Sequence, residues 1–486
     1  MNRIHVISFC MSFVGFLICH DCSALEKPNI VIINIDDLGY ADIGPFGSEK
    51  NRTPHLNQMA REGKKLTSFY AAPVCSPSRA ALMTGCYPKR VLPIPHVLFP
   101  VSEVGLATNE ITIADMLHDL GYATACIGKW HLGDQLPFLP TAQGFDSYFG
   151  IPYSNDMGPV RDGARSDLGQ PLPTPRRKPD GSLFSDHGET GIRGYGQPPL
   201  PMLEDIQLAF RVRQREQQKT VSGYTQRAVA FIESHVEKPF FLYLPHAAVH
   251  FPLYPGDDFA GRSRHGIYAD WVEEVDWSVG EVLDVLRKHD LQEKTFVLFT
   301  SDNGGTRRGS NAPLRGHKGS TWEGGVRSCT VCWWPGTIPA GTSSSAICGM
   351  HDILPTLCSM TGGALPDQRL DGKDISAILM ADSADAPGPH NSFLYFRGLD
   401  LKAVRHGRWK LHLAEGSLFD LKNDIGETKN IASANKEIVA KLMSIASDID
   451  NDLGQKGLGP GCRPLGRFKN PKSWISHDIS SGAATN

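Results

Sequence analysis

From residue 29 to residue 35 the chain reads NIVIINI, apolar and mostly β-branched, without the alternation of a half-exposed strand. Such a run predicts a strand covered on both faces, as in a parallel sheet between helices. It ends on two adjacent acids, Asp36 and Asp37. The pattern recurs over 66–74, 122–127, 239–245 and 295–300, and each run hands polar residues to the loop behind it. Those residues are Cys75, then Lys129 and His131, then His250, then Asp302 and Asn303. Helical periodicity fills the intervals: 111–120 with Gly121 as its stop, 221–236, and the long amphipathic stretch 268–288. Thr53 and Pro54 open a shorter helix carrying Leu56, Met59 and Ala60 on its apolar face. Strands alternating with helices predict an α/β fold with a large, mostly parallel, doubly wound sheet. Ligands in such sheets bind beyond the carboxyl ends of the strands, where these polar residues stand.

After about residue 385 the period changes. Short strand-like runs at 393–397, 401–405, 409–413 and 417–421 are joined by tight turns and followed by a helical stretch, 434–450. They predict a small antiparallel sheet with one covering helix. Residues 159–201 are rich in Gly, Pro, Arg and Asp without a period, and read as an irregular excursion over the site mouth. The expected division is a catalytic domain over 25–385, a small domain over 386–453, and a Gly/Pro-rich surface tail over 454–486.

Composition adds limits. The 486 residues are 41% hydrophobic and 21% charged, with a net charge of −3, so the overall balance does not invite nucleic acid. Any anion site must be a local cluster of cations. Residues 1–24 read as a signal peptide: Arg3 and His5, an apolar run over 6–19, then Cys22, Ser23 and Ala24 as a cleavage region. Asp21 opposes a lipoprotein reading of Cys22. The run is short for a membrane span and nothing later approaches twenty apolar residues, so no stable membrane insertion is expected. The mature protein is expected to be exported, periplasmic or secreted, or lysosome-like in a eukaryotic cell. Of 11 cysteines, Cys10, Cys19 and Cys22 leave with the signal. With Cys75 set aside the remainder is odd in number, lacks zinc-ligand spacing, and supports no disulfide assignment. Cys329 and Cys332 fall on opposite faces of a strand, which argues against a redox pair.

Asp36, Asp37, Asp302 and Asn303 are hard oxygen ligands after two separate strands, a set suited to Ca²⁺ or Mg²⁺ rather than zinc. Arg79, Lys129, His131, His250 and Lys318 form a second, cationic and proton-donating set. Singly, each has an ordinary structural explanation, as a helix cap, a solvated lysine or a loop histidine. Together they lie just beyond strand-like runs or in Gly-rich loops, where a site gathers them.

The stretch CSPSRAALMTG, beginning at Cys75, resembles the signature of type I sulfatases, Cys-x-Pro-x-Arg followed by Thr-Gly. Gly128-Lys129-Trp130-His131, His250 before Phe251 and Pro252, and Lys318 within LRGHKGSTWEGGVR are each similar to elements of that family. Ser154 in IPYSNDM is similar to a segment of arylsulfatase A relatives, LFDL at 418–421 and ETKN at 427–430 resemble the family's small closing domain, and the whole is similar to arylsulfatase A and N-acetylgalactosamine-6-sulfatase relatives. The resemblance spans about residues 27–450.

It implies an alkaline-phosphatase-like sheet and a sulfate ester substrate, aryl or, more specifically, a sulfated saccharide. It implies that a separate formylglycine-generating enzyme oxidises Cys75 to formylglycine. It further implies a divalent metal, Ca²⁺ preferred, on Asp36, Asp37, Asp302, Asn303 and position 75. Arg79 would hold the nucleophile; Lys129, Ser154 and Lys318 would grip the sulfate. His250, assisted by Lys318, would protonate the leaving alcohol, and His131 would act as base for release of sulfate. The rival expectations are a phosphodiesterase or phosphonate monoester hydrolase of the same superfamily, and a non-catalytic binder of sulfated glycans. Specificity is expected in the loops at 93–97, 155–156 and 159–201, with His96 and Asp156 directed at a sugar.

Overall fold

A computed structural model describes residues 27–476; the expected signal peptide and the last ten residues lie outside that range. The Asn29–Ile35 strand lies in the interior of an eleven-stranded sheet, between Phe240–His246 and Thr295–Ser301, both parallel to it. Its side chains divide by parity. Ile30 and Ile32 enter one apolar layer, and Val31, Ile33 and Ile35 enter the other. That is why the run shows no polar alternation. Ala123–Ile127 and Ser147–Gly150 continue the parallel block on one side.

On the other side the direction reverses twice. Arg327–Trp333 is antiparallel to Thr295–Ser301, and Lys64–Tyr70 is antiparallel to Arg327–Trp333, so Lys64–Tyr70 points the same way as the central strands. The helices Pro54–Glu62, Thr220–Ser234 and Ile267–Lys288 cover one face, and Cys75–Thr84, Ile113–Asp119 and Ile353–Thr361 cover the other. The molecule is an α/β protein with a large, mostly parallel sheet. The expected strand over 66–74 starts earlier and stops at Tyr70. Beyond it, Pro73 has no N–H to give a ladder, and Ser78 Oγ accepts the Ala72 N–H (2.9 Å), closing a turn instead.

Ser392–Arg397, Asp400–His406, Trp409–His412 and Ser417–Asp420 form a separate four-stranded antiparallel sheet. The helix Lys436–Asp448 covers it through Leu442 and Ala446. The described part of the tail is tied to the large unit: Gly466–Arg467 pairs with Val104–Gly105, and Trp474 Nε1 donates to Asp134 O (2.7 Å). Cys329 and Cys332 face the two different apolar layers, and all eight described cysteines are free thiols. Among the described residues no helix is long and apolar enough to cross a membrane.

Candidate active site

Parallel strands place their carboxyl ends at one edge of the sheet. In spatial order the block delivers Asp302 and Asn303, then Asp36 and Asp37, then His250, then Lys129 and His131, then Ser154. Cys75 and Arg79 come from the helix Cys75–Thr84, which follows the Lys64–Tyr70 strand and its turn. Lys318 comes from the loop after Thr295–Ser301, fixed by Lys318 N–H to Gly305 O (3.1 Å) and Gly319 N–H to Pro73 O (2.8 Å). Two local features show how tightly these ends are built. Gly128 has φ +139°, and a Cβ there would lie 2.0 Å from Pro245 O, so only glycine lets Lys129 N–H reach that carbonyl at 2.7 Å. Asp37 and His131 also adopt the left-handed backbone, with φ of +63° and +67°, a conformation that costs energy outside glycine and collects at functional sites.

At the centre is a buried ionic cluster. Arg79 grips Asp302 Oδ2 through Nε (3.0 Å) and Nη2 (2.8 Å), and its Nη2 also approaches Asp36 Oδ2 (3.3 Å). Lys129 Nζ donates to Asp36 Oδ2 and to Ser154 Oγ (3.1 Å). Lys318 Nζ lies 2.6 Å from Asp37 Oδ1 and 3.3 Å from Cys75 Sγ. Burial would raise Asp36, but Lys129, His250 and Arg79 outweigh it and hold the carboxyl well below its usual range. Burial likewise opposes charge on Lys318, and Asp37, Cys75 and Asp36 outweigh it and push that ammonium up. Cys75 goes the other way. Burial and the nearby Asp36 push its thiol up against the pull of Lys129 and Lys318, so the encoded residue is a protonated thiol and a poor nucleophile.

The two histidines are set apart by their partners. His131 Nε2 donates to Leu98 O (2.9 Å), since a carbonyl only accepts, which leaves Nδ1 with the lone pair. That Nδ1 is buried and has no hydrogen-bond partner. Burial, with Lys129 and Arg79, holds His131 well below the ordinary imidazole range, so the ring is neutral and Nδ1 carries the lone pair. His250 Nδ1 donates to Phe251 O, while its Nε2 faces Asp37 Oδ2 at 3.7 Å.

The oxygen-rich centre suits a hard divalent cation. Asn303 Nδ2 donates to Asp37 Oδ1 (2.8 Å) and Gly304 O (3.0 Å), whereas its Oδ1 is buried without a partner. An orphaned carbonyl oxygen beside Asp36, Asp37 and Asp302 is a donor awaiting a cation. Asp36, Asp37, Cys75 and His250 form the compact ligand group among the described residues, so His250 stands closer to the centre than the sequence suggested. A second group, His351, Asp352 and His390, lies elsewhere and was not anticipated.

Cys75, His131, Ser154, His250 and Lys318 open into one cavity of about 290 Å³. A family model described as Sulfatase matches residues 28–364. The chain belongs to the sulfatase family. It is similar to arylsulfatase A of Homo sapiens, 35% identical over 86% of this chain and 87% of that protein. It is also similar to N-acetylgalactosamine-6-sulfatase of Canis lupus familiaris, 36% identical over 80% of this chain and 72% of that protein. Among solved structures, Ps i-CgsB in complex with k-i-k-neocarrahexaose aligns with a TM-score of 0.71 at 29% identity, covering 87% of this chain and 92% of that one. This sulfatase is therefore a sulfuric ester hydrolase.

All eleven candidate residues read from the sequence gather at this edge. The cavity also includes residues that the sequence reading did not name: Phe99, Arg165, Arg193 and Gln197, beside the anticipated His96 and Asp156. The only signal for the two arginines was the presence of charge in the aperiodic stretch 159–201, which identified the segment but no position in it.

Proposed function

We propose that this chain is an exported, formylglycine-dependent sulfatase that removes sulfate from a saccharide ester with the help of a divalent metal. The observation that carries the reading is the cluster of three carboxylates and three cations beside a cavity onto which Cys75, Ser154, Lys318 and two histidines with different hydrogen-bond partners open. The Sγ contacts of Cys75 stand in for the oxygens of the matured residue.

Asp36, Asp37, Asp302 and Asn303 would hold Ca²⁺, with Mg²⁺ as the other hard cation of suitable chemistry; the ion supplies positive charge to the sulfate and nucleophile oxygens. A formylglycine at 75 would supply two geminal hydroxyls, one as the nucleophile and one as the source of the proton lost on sulfate release. The remaining work falls to the chain's own side chains. Arg79 anchors Asp302 and screens Asp36, which keeps the carboxylates in place beneath position 75. Lys129, Ser154 and Lys318 hold sulfate oxygens and offset the charge that develops as the S–O bond breaks. His250, with Lys318 beside it, delivers the proton that the departing alkoxide needs, and neutral His131 receives a proton at Nδ1.

A saccharide substrate is favoured by the cavity's polar rim and by the likeness to Ps i-CgsB, whose structure holds a neocarrahexaose. The test is direct. Protein made together with a maturation enzyme should lose about 18 Da at the Cys75 peptide, the change from thiol to aldehyde, and hydrolyse 4-nitrophenyl sulfate. Cys75→Ala should abolish turnover with the melting temperature kept. Full activity in that variant would overturn the mechanism.

A further inference from the structure

The cavity carries more positive charge than a lone sulfate ester can use. Arg193 is exposed at its rim, has no carboxylate partner among the described residues, and lies with its guanidinium 6.0 Å above the Phe99 ring. Arg165 is half-buried beside it, donating through Nη2 to Gly194 O (2.9 Å) and to Gln197 Oε1, while its Nε is buried without a partner. No acid neutralises it either. Across the same cavity Asp156 keeps a buried Oδ1 without a donor.

These groups are held in place. The hairpin Ser185–Gly188 and Gly191–Gly194 docks on the chain at 99–103: Phe99 N–H donates to Thr190 O (2.7 Å), Glu103 N–H to Glu189 O (2.9 Å), and Ile192 N–H to Pro100 O (2.8 Å). Gly191 has φ +106°, and a Cβ there would lie 2.4 Å from Phe99 O, so the close approach requires glycine. Gln197 Nε2 ties back to Ile192 O (2.9 Å). Arg193 is thus presented by an anchored hairpin. The field at the rim acts on a neighbour as well: beyond burial, Arg193, Lys318 and Arg397 all oppose protonation of His96.

The geometry points to a second anion-binding subsite, formed by Arg165 and Arg193 beside the sulfate pocket, for a saccharide bearing a second carboxylate or sulfate. Asp156 accepts a sugar O–H or N–H of the same ligand. The inference deepens the sulfatase reading and rests on position 75 and Lys318 marking the scissile sulfate. Planar guanidinium groups suit either anion, since both offer paired oxygens.

The test uses matured enzyme and four substrates: 4-nitrophenyl sulfate, a neutral disaccharide monosulfate, the same monosulfate with a uronic acid, and a disulfated disaccharide. Wild type should favour at least one of the last two over the neutral disaccharide. Arg193→Gln should lower kcat/KM on the favoured substrate tenfold or more, mainly through KM, and change 4-nitrophenyl sulfate less than twofold. Loss confined to the uronate or to the disulfate identifies which anion is read. Among the described residues Arg193 makes no side-chain hydrogen bond or ion pair, so this variant carries the test even where Arg165→Gln loosens the hairpin. Asp156→Asn should weaken all three disaccharides and spare the aryl ester. Equal loss on all four substrates in Arg193→Gln, or a neutral disaccharide as the preferred substrate, overturns the subsite. Wild type that cleaves 4-nitrophenyl sulfate but shows no charge preference sinks the subsite alone. Matured enzyme inert on every ester sinks the sulfatase mechanism and the subsite together.

Discussion

Replacing Lys410 with methionine should weaken the active site from the small antiparallel sheet. Lys410 lies on the small sheet, fully buried, with Nζ at 2.9 Å from Glu323 Oε1, 2.9 Å from Glu427 Oε1 and 2.8 Å from Thr321 O. Glu323 also accepts from Tyr70 Oη (2.6 Å) and Tyr395 Oη (2.9 Å), and Glu427 Oε2 caps the Glu323 N–H at 2.7 Å. This network joins the small sheet to the loop that carries Lys318. Burial alone would raise Glu323, but Lys410, with Arg327 and Arg405, outweighs it and holds the carboxyl well below its usual range. Lys410→Met removes the ammonium that two buried carboxylates share, leaving Glu323 to Arg327, Arg405 and two tyrosines and Glu427 to His412, and breaking a buried pair in this way costs about 3–5 kcal/mol. For a protein of this size that is a fall of roughly 5 °C in melting temperature.

The pH dependence supplies a signature. A carboxylate depressed in the fold contributes stability above its unfolded pKa of 4.5, and loses it as pH falls through the folded value. The deficit of Lys410→Met should therefore be full at pH 7 and shrink below about pH 4.5. Adding Glu323→Gln should restore about half of it, because one of the two carboxylates that lost the ammonium is then neutral. Activity at 25 °C should fall about tenfold, since Thr321 O and Glu323 position the segment next to Lys318. Scanning calorimetry across pH and 4-nitrophenyl sulfate kinetics read both effects. A cost below about 1 kcal/mol, as for an exposed pair, or one that does not vary with pH, would refute the reasoning.

Glu274 makes the opposite kind of prediction. It is buried on Ile267–Lys288 and accepts the Gly256 N–H (2.8 Å), and burial, reinforced by Asp258, pushes its carboxyl up to about 8. A carboxyl raised in the fold is stable below its unfolded pKa and loses stability as pH rises toward 8, so Glu274→Gln should be near neutral at pH 5 and stabilising by roughly 4 kcal/mol at pH 9. Equal melting shifts at both pH values would show that Glu274 is ionised throughout. At the metal centre, chelation should lower both activity and melting temperature, and Asn303→Leu should raise the Ca²⁺ needed to restore the melting temperature tenfold or more. A Ca²⁺ response unchanged by that substitution would remove Asn303 from the ligand set.

The catalytic half of this molecule was legible because its physics is local. A strand buried on both faces must be apolar throughout, so NIVIINI marked itself, and the polar residues at its end had no packing role to explain them. The reversed strand Arg327–Trp333 looked no different, because a run of side chains does not encode direction. The connection sets it: residues 302–326 contain only the one-turn helix Glu323–Val326 instead of a crossover helix, and the chain returns antiparallel. The pairing of Val104–Gly105 with Gly466–Arg467 is written in neither segment, since two-residue strands bury too little to leave a pattern. Arg193 belongs to the same class. What brings it to the cavity is backbone hydrogen bonding between 189–192 and 99–103, and a glycine at 191 that permits the approach. Groups at strand ends take their position from the sheet, and the sheet leaves a hydrophobic signature. Groups that discriminate among substrates take theirs from loop docking, which main-chain atoms perform and which residue type barely records. The reaction class was therefore readable from the chain, and the proposed second anion subsite only from the fold.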